Sequence, residues 1–168
     1  MSFISCGASG ADEEWLNQAI LNGHNIIQCK SDTISYEELF VKYYDKTIHL
    51  NKTRLHRSFP CRNTGVNALL MRNVRAADMT ESLYAVGNLI DSENVLIDGG
   101  TAWACNYFLM EGKTEFYFFN QGDNKWYEYN MGKLLPIYGK PPAPDGIWLG
   151  IGSRKLTNYG IQAIRNIF

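Results

Sequence analysis

Apolar residues along the chain recur with two different periods, and the alternation between those periods sets the fold class. Short apolar runs at residues 1–6, centred on Phe3 and Ile4, and at residues 24–29, centred on Ile26 and Ile27, predict strands. Between them Trp15, Leu16, Ala19 and Ile20 recur at helical spacing, with Asp12 placed to cap that helix and Gly23 to end it. Parallel strands need a crossover connection, so this strand, helix and strand predict a parallel β-α-β unit.

A second helix begins after Ser35 as its cap, turns Leu39, Phe40 and Tyr43 inward, and is expected to end near Asp45. Residues 46–64 are polar, basic and interrupted by Pro60, and read as a long ordered excursion over the sheet edge. A helix over residues 67–77 buries Leu69, Leu70, Val74 and Ala77 and leaves Arg72 and Arg75 on its more exposed side. Strands at 82–86 and 94–97, a helix at 101–110 and a strand at 114–119 give a second β-α-β unit. A turn at Gln121-Gly122-Asp123-Asn124 leads to an aromatic strand at 125–129, and Pro136, Pro141, Pro142 and Pro144 mark a loop. A last strand at 146–152 precedes a helix capped by Ser153 and holding Leu156, Ile161, Ala163, Ile164 and Ile167. The pattern predicts an α/β protein, a Rossmann-like three-layer sandwich with a mainly parallel central sheet, in a single domain spanning residues 1–168.

Composition narrows the function classes. A formal net charge of -1 gives no overall positive field to recruit long nucleic acid, although Lys52, Arg54, Arg57, Arg62, Arg72 and Arg75 form a locally basic stretch without acidic residues among them. Cys6, Cys29, Cys61 and Cys105 have neither metal-ligand spacing with the histidines nor the framework of a small secreted domain, so no metal and no cofactor is expected. With no basic and apolar leader and no apolar run approaching a membrane span, the expectation is a cytoplasmic protein that does not engage membranes. Aromatic residues at 13% are frequent enough to line a groove as well as a core, and an exposed helix face would let the chain form a homo-oligomer.

The chemistry concentrates in two glycine-rich turns, Cys6-Gly7-Ala8-Ser9-Gly10-Ala11-Asp12 and Asp98-Gly99-Gly100-Thr101-Ala102-Trp103. Each follows an apolar strand-like run and opens a helix, the arrangement that presents unpaired N–H groups and a positive dipole end to an anion. On neighbouring parallel strands the two would suit a nucleotide, with Gly7, Ser9, Gly10, Gly99, Gly100 and Thr101 toward phosphate. Asp12 either caps its helix or accepts from ribose, and Trp103 either stacks on a base or packs its helix. Arg72, Arg75 and Arg154 have the fork geometry for phosphate and equally that of ordinary surface cations. Asp98, at a strand's carboxyl end, and Asp123 are the carboxylates considered for acid-base chemistry, with capping or ribose binding as the other reading of Asp98 and turn capping that of Asp123.

The first glycine turn, the segment Arg72-Asn73-Val74-Arg75-Ala76-Ala77-Asp78, the turn Gly99-Gly100-Thr101-Ala102-Trp103-Ala104 and the closing Gly150-Ile151-Gly152-Ser153-Arg154 together resemble the SLOG superfamily. This Rossmann-like group includes lysine-decarboxylase-like nucleotide hydrolases, DNA-processing DprA proteins and nucleotide-sensing domains. The resemblance implies phosphate or ribose binding at the glycine turns. In the hydrolase branch a Pro-Gly-Gly-x-Gly-Thr turn is followed, three residues after its threonine, by a catalytic glutamate. Here Asp98 replaces the proline, Ala102 stands at the position of the later glycine, and Asn106 stands at that of the glutamate. The expected function is therefore binding of a phosphate-bearing nucleotide, an adenosine nucleotide or an ADP-ribose-like molecule, for sensing or sequestration. Hydrolysis of an N-glycosidic bond by a displaced carboxylate, and protein recognition through the aromatic segment at residues 126–129, are the alternatives.

Overall fold

The computed structural model describes residues 1–29 and 33–168. Its main sheet has seven strands: β1 (Ser2–Ser5), β2 (Asn25–Gln28), β3 (Ser82–Gly87), β6 (Phe116–Asn120), β7 (Lys125–Asn130), β8 (Lys133–Pro136) and β9 (Ile147–Gly152). Between β3 and β6 a two-stranded antiparallel ribbon, β4 (Leu89–Asp91) with β5 (Leu96–Ile97), stands apart from that sheet. The sheet order is β2-β1-β9-β3-β6-β7-β8; the first five strands are parallel, and β7 and β8 return antiparallel. The helices are α1 (Ala11–Leu21), α2 (Tyr36–Leu50), α3 (Thr64–Asp78), α4 (Thr101–Met110) and α5 (Asn158–Arg165).

Strand periodicity divides the core in two. Phe3, Tyr84, Val86, Tyr117, Phe119 and Trp148 point to one face, where α1 and α5 cover them with Trp15, Ala19, Ala163 and Ile164. Their neighbours Ile4, Leu83, Ala85, Phe116, Phe118, Leu149 and Ile151 point to the other, under α2, α3 and α4. The result is the expected three-layer α/β sandwich with a mainly parallel sheet. Helix α4 is apolar nearly all round and buried from Thr101 to Leu109, as a helix packed between α3 and the sheet must be. No helix among the described residues is long and apolar enough to cross a membrane.

Several boundaries depart from the sequence pattern for identifiable reasons. Helix α2 does not stop near Asp45: Leu39, Tyr43, Thr47 and Leu50 continue one buried stripe, and a single π turn (Asn51–Leu55) follows and buries Leu55. The first part of the expected excursion is thus helical. Helix α3 starts at Thr64, because the Asn63 side chain accepts from the Val66 N–H at 3.2 Å. Of the strand expected at 94–97 only Leu96 and Ile97 are extended, and in the small ribbon rather than the main sheet. Strand β8 was hidden by its exposed Leu135 and by Pro136, which an edge strand tolerates. Thr157, not Ser153, caps α5 by accepting from the Gly160 N–H at 3.0 Å, and the Ser153 hydroxyl instead accepts from the Lys155 N–H.

Candidate functional site

Chain order and sheet order part company at β9. Strand β2 lies on one side of β1, β3 and β6 lie on the other, and the last strand, β9, fills the place between β1 and β3. A cleft of about 370 Å³ opens beyond the carboxyl ends of these three strands. It sits where strand order reverses, the place where open α/β sheets leave a crevice for ligands. Asp12, Asn73, Asp98, Thr101 and Arg154 supply its polar wall, and Val66, Leu69 and Ile151 its apolar one.

The second glycine turn reaches the cleft from the small ribbon. Its backbone is held from behind: the Arg57 guanidinium donates to the carbonyls of Ile97 and Gly99, both at 2.6 Å, and the Asn73 side chain donates to the Gly100 carbonyl at 3.1 Å. The Asp98 carboxylate accepts from the Gly99 N–H at 2.8 Å, while its own N–H donates to the Asn88 carbonyl. Gly99 takes φ 69°, a conformation costly for any side chain, and a Cβ there would meet nothing within 4 Å. The Trp103 N–H donates to the Gly100 carbonyl at 3.1 Å, and the Thr101 amide, which has no preceding helical turn to bond, stands with Gly99 and Gly100 on the cleft wall.

The first glycine turn is built for a different purpose. Gly10, not Asp12, occupies the N-cap position of α1, at φ 86°. The Ala11 N–H donates to the Ser153 carbonyl at 3.1 Å, so the start of α1 is closed by the loop that follows β9. A Cβ on Gly10 would lie 2.6 Å from the carbonyl oxygens of both Ser153 and Arg154. The glycine is needed for the approach of the protein's own backbone. The two turns also do not follow neighbouring strands: the first follows β1 of the main sheet and the second follows β5 of the separate ribbon.

Inside the first turn of α1, Asp12 is 2% exposed and its carboxylate accepts from the Gly152 N–H at 2.9 Å. Burial pushes its carboxyl up to about 7, against the opposing pull of the Gly152 and Ala8 amides and of the Arg154 charge. No ion pair within 4 Å reaches it among the described residues. The neighbouring Cys6 thiol is likewise pushed up, first by burial and then by Asp12. A buried carboxyl that changes charge near neutrality, in the wall of a cleft, is equipped to exchange a proton with whatever enters.

Of the candidate residues, Asp12, Asp98, Gly99, Gly100, Thr101 and Arg154 come together around the cleft; Gly7, Ser9, Gly10, Arg72, Arg75, Trp103 and Asp123 are not among its lining residues. Trp103 is 3% exposed and packs its ring on Phe59 at 5.4 Å, deep in the core. The Arg72 Nε donates to the Ala68 carbonyl in its own helix. Arg75 faces Cys6, Cys29 and Tyr43, with its Nη1 buried and without a hydrogen-bond partner among the described residues. Asp123 closes its turn by accepting from the Asn120 side chain at 2.9 Å and from the Tyr127 hydroxyl at 2.7 Å. Asn106 is buried and its amide donates back to the Ala102 carbonyl at 3.0 Å.

Sequence reasoning missed Asn73 and Arg57, the two side chains that fix the second turn. Asn73 is a polar residue on the buried stripe of α3, between Leu70 and Ala77, and a polar group there needs a partner. Arg57 was visible as part of a basic run, without any sign that its charge is directed at backbone carbonyls. Compared with models of known protein families, with curated proteins and with solved structures, the chain matches none.

Proposed function

We propose that the cleft binds a small phosphate-bearing nucleotide, an adenosine nucleotide or an ADP-ribose-like molecule, for sensing or sequestration. The observation that carries this reading is the convergence, at the strand-order reversal, of the amide end of α4 with Arg154 on one cleft. Phosphate would take the Gly100 and Thr101 amides and the Arg154 guanidinium, and Asp98 would accept from a ribose hydroxyl. Val66 and Leu69 offer an apolar wall to a base. The ordered resemblance of the two glycine turns, the Arg72 to Asp78 segment and the Gly150 to Arg154 segment to the SLOG superfamily supports the same ligand class.

A second reading, cleavage of an N-glycosidic bond, is favoured by Asp12 and Asp98 both facing the cleft. It is weakened by Asn106, which leaves no carboxylate three residues along α4 from its cap-proximal contacts and is engaged with its own helix. Mass spectrometry of molecules released from denatured protein, alongside products formed by native protein from a nucleotide and ADP-ribose panel, separates the two. An intact nucleotide without turnover supports sensing or sequestration. Free base with a ribose phosphate, abolished by Asp98→Asn, establishes cleavage. Neither ligand nor turnover overturns the nucleotide reading altogether.

A further inference from the structure

Two carboxylates in a cleft meant for an anion pose a charge problem. Asp98 spends one oxygen on the Gly99 N–H and lies at the turn, whereas Asp12 is 2% exposed, has no ion pair among the described residues and lines the same 370 Å³ space as Arg154. A cavity of that volume is about 9 Å across if round, no more than the ~8–10 Å over which salt screens exposed charges. No phosphate could enter without feeling the charge on Asp12. Resting on the nucleotide reading above, we infer that Asp12 is the residue that matches the cleft to its ligand's charge, its carboxylate taking up a proton from solvent as the phosphate binds and standing in the complex as a neutral carboxylic acid.

The surroundings of Asp12 leave few other groups to do this. Just past β1 stands the buried Cys6 thiol, β2 and β9 carry no charged residue, and the loop after β9 brings Arg154. On α5 the cation Arg165 is engaged with Glu14 at 2.8 Å, leaving Glu13 as the other acid of the first turn of α1. Arg72 faces Cys6 rather than lining the cleft, and Asp98 lies on the opposite turn. The single lining cation among the described residues, Arg154, cannot balance a doubly charged phosphate and two carboxylates together. Asp12, already near its titration midpoint, is the group that yields.

The test is isothermal calorimetry with adenosine 5′-monophosphate on wild type and Asp12→Asn from about pH 6 to pH 8.5, wild type being repeated in buffers of different ionisation enthalpy. Wild type should take up about half a proton on binding at pH 7 and nearly one at pH 8, losing affinity by up to about tenfold per pH unit above neutrality. Asp12→Asn, neutral throughout, should hold its affinity within about twofold over that alkaline range. Wild-type binding without proton uptake overturns the inference and leaves the nucleotide reading standing, as does an Asp12→Asn protein with the wild-type pH dependence. Binding of no nucleotide by wild type overturns both. The buffer comparison needs wild type alone, so an absence of proton uptake overturns the inference even where the variant does not fold.

Discussion

Replacing Gly10 with alanine tests whether the first glycine turn serves the fold or a ligand. The native φ of 86° with ψ -124° is a backbone state that side chains rarely adopt, costing about 1–3 kcal/mol. The new methyl would also lie 2.6 Å from the Ser153 and Arg154 carbonyl oxygens and 2.7 Å from the Arg154 Cα. These are backbone atoms and cannot rotate aside, so overpacking adds about 1–3 kcal/mol. A total near 3 kcal/mol is a large part of a domain's usual margin and lowers the melting temperature by about 6–12 °C for a chain of this size. The control is Gly99→Ala, with φ 69° but open space around the missing Cβ, where only a backbone cost of about 1–2 kcal/mol applies. Urea denaturation of both variants gives the comparison. A Gly10→Ala protein no less stable than Gly99→Ala would refute the assignment of Gly10 to close backbone packing and return the first turn to the ligand.

The buried carboxyl sets a second expectation: its folded pKa lies above its ordinary 3.8, so the folded state binds the proton more tightly and Asp12 costs stability as pH rises from about 4 to about 7, by up to about 4 kcal/mol. Asp12→Asn should flatten the fall of unfolding free energy between about pH 4 and pH 7, measured by urea denaturation at each pH. Arg57→Met removes two charge-assisted bonds and leaves the Ile97 and Gly99 carbonyls without them, so amide hydrogen exchange over residues 96–101 should quicken by about tenfold to a hundredfold. Trp103→Ala should cost about 3–5 kcal/mol of stability through the void beside Phe59; a stable variant with lost nucleotide affinity would restore the base-stacking role. Asp123→Asn should leave nucleotide affinity within about twofold, since Asp123 bonds only within its own turn region, and a tenfold loss would place it at the site.

Periodicity made the layers legible because each buried stripe reports which side of an element faces the core. Strands centred on Phe3, Ile26, Leu83, Phe118 and Leu149 stand where the apolar runs placed them, and the Ser35 cap holds with its hydroxyl accepting from Glu38 at 3.1 Å. Pattern failed where polar or small residues do structural work. Thr47 continues the buried stripe of α2 by turning its hydroxyl onto the Tyr43 carbonyl at 2.7 Å, so a residue that reads as a break is buried without cost. Gly10, Asp12 and Ser153 were each read through local sequence, yet their partners lie some 140 positions away or nearby in space only. No local window contains that information.

The position of β9 explains why the glycines of one turn line the cleft and those of the other do not. The last strand enters between the first and the third, pairing Phe3 with Trp148 on one side and Leu83 with Leu149 on the other. Its carboxyl end therefore emerges directly over the start of α1, and the chain that follows must cross that helix end to reach α5. The Gly152 N–H goes to Asp12, the Ser153 N–H to the Val86 carbonyl, and the Ser153 carbonyl receives the Ala11 N–H. The last of these engages the Ala11 amide of the first turn, and the same loop carries Arg154 onto the cleft wall. The second turn escapes the same fate because the β4–β5 ribbon carries it to one side of β3, where Arg57 and Asn73 bind its carbonyls from behind. The closed start of α1 and the place of Arg154 on the cleft wall are thus one consequence of where the final strand is inserted.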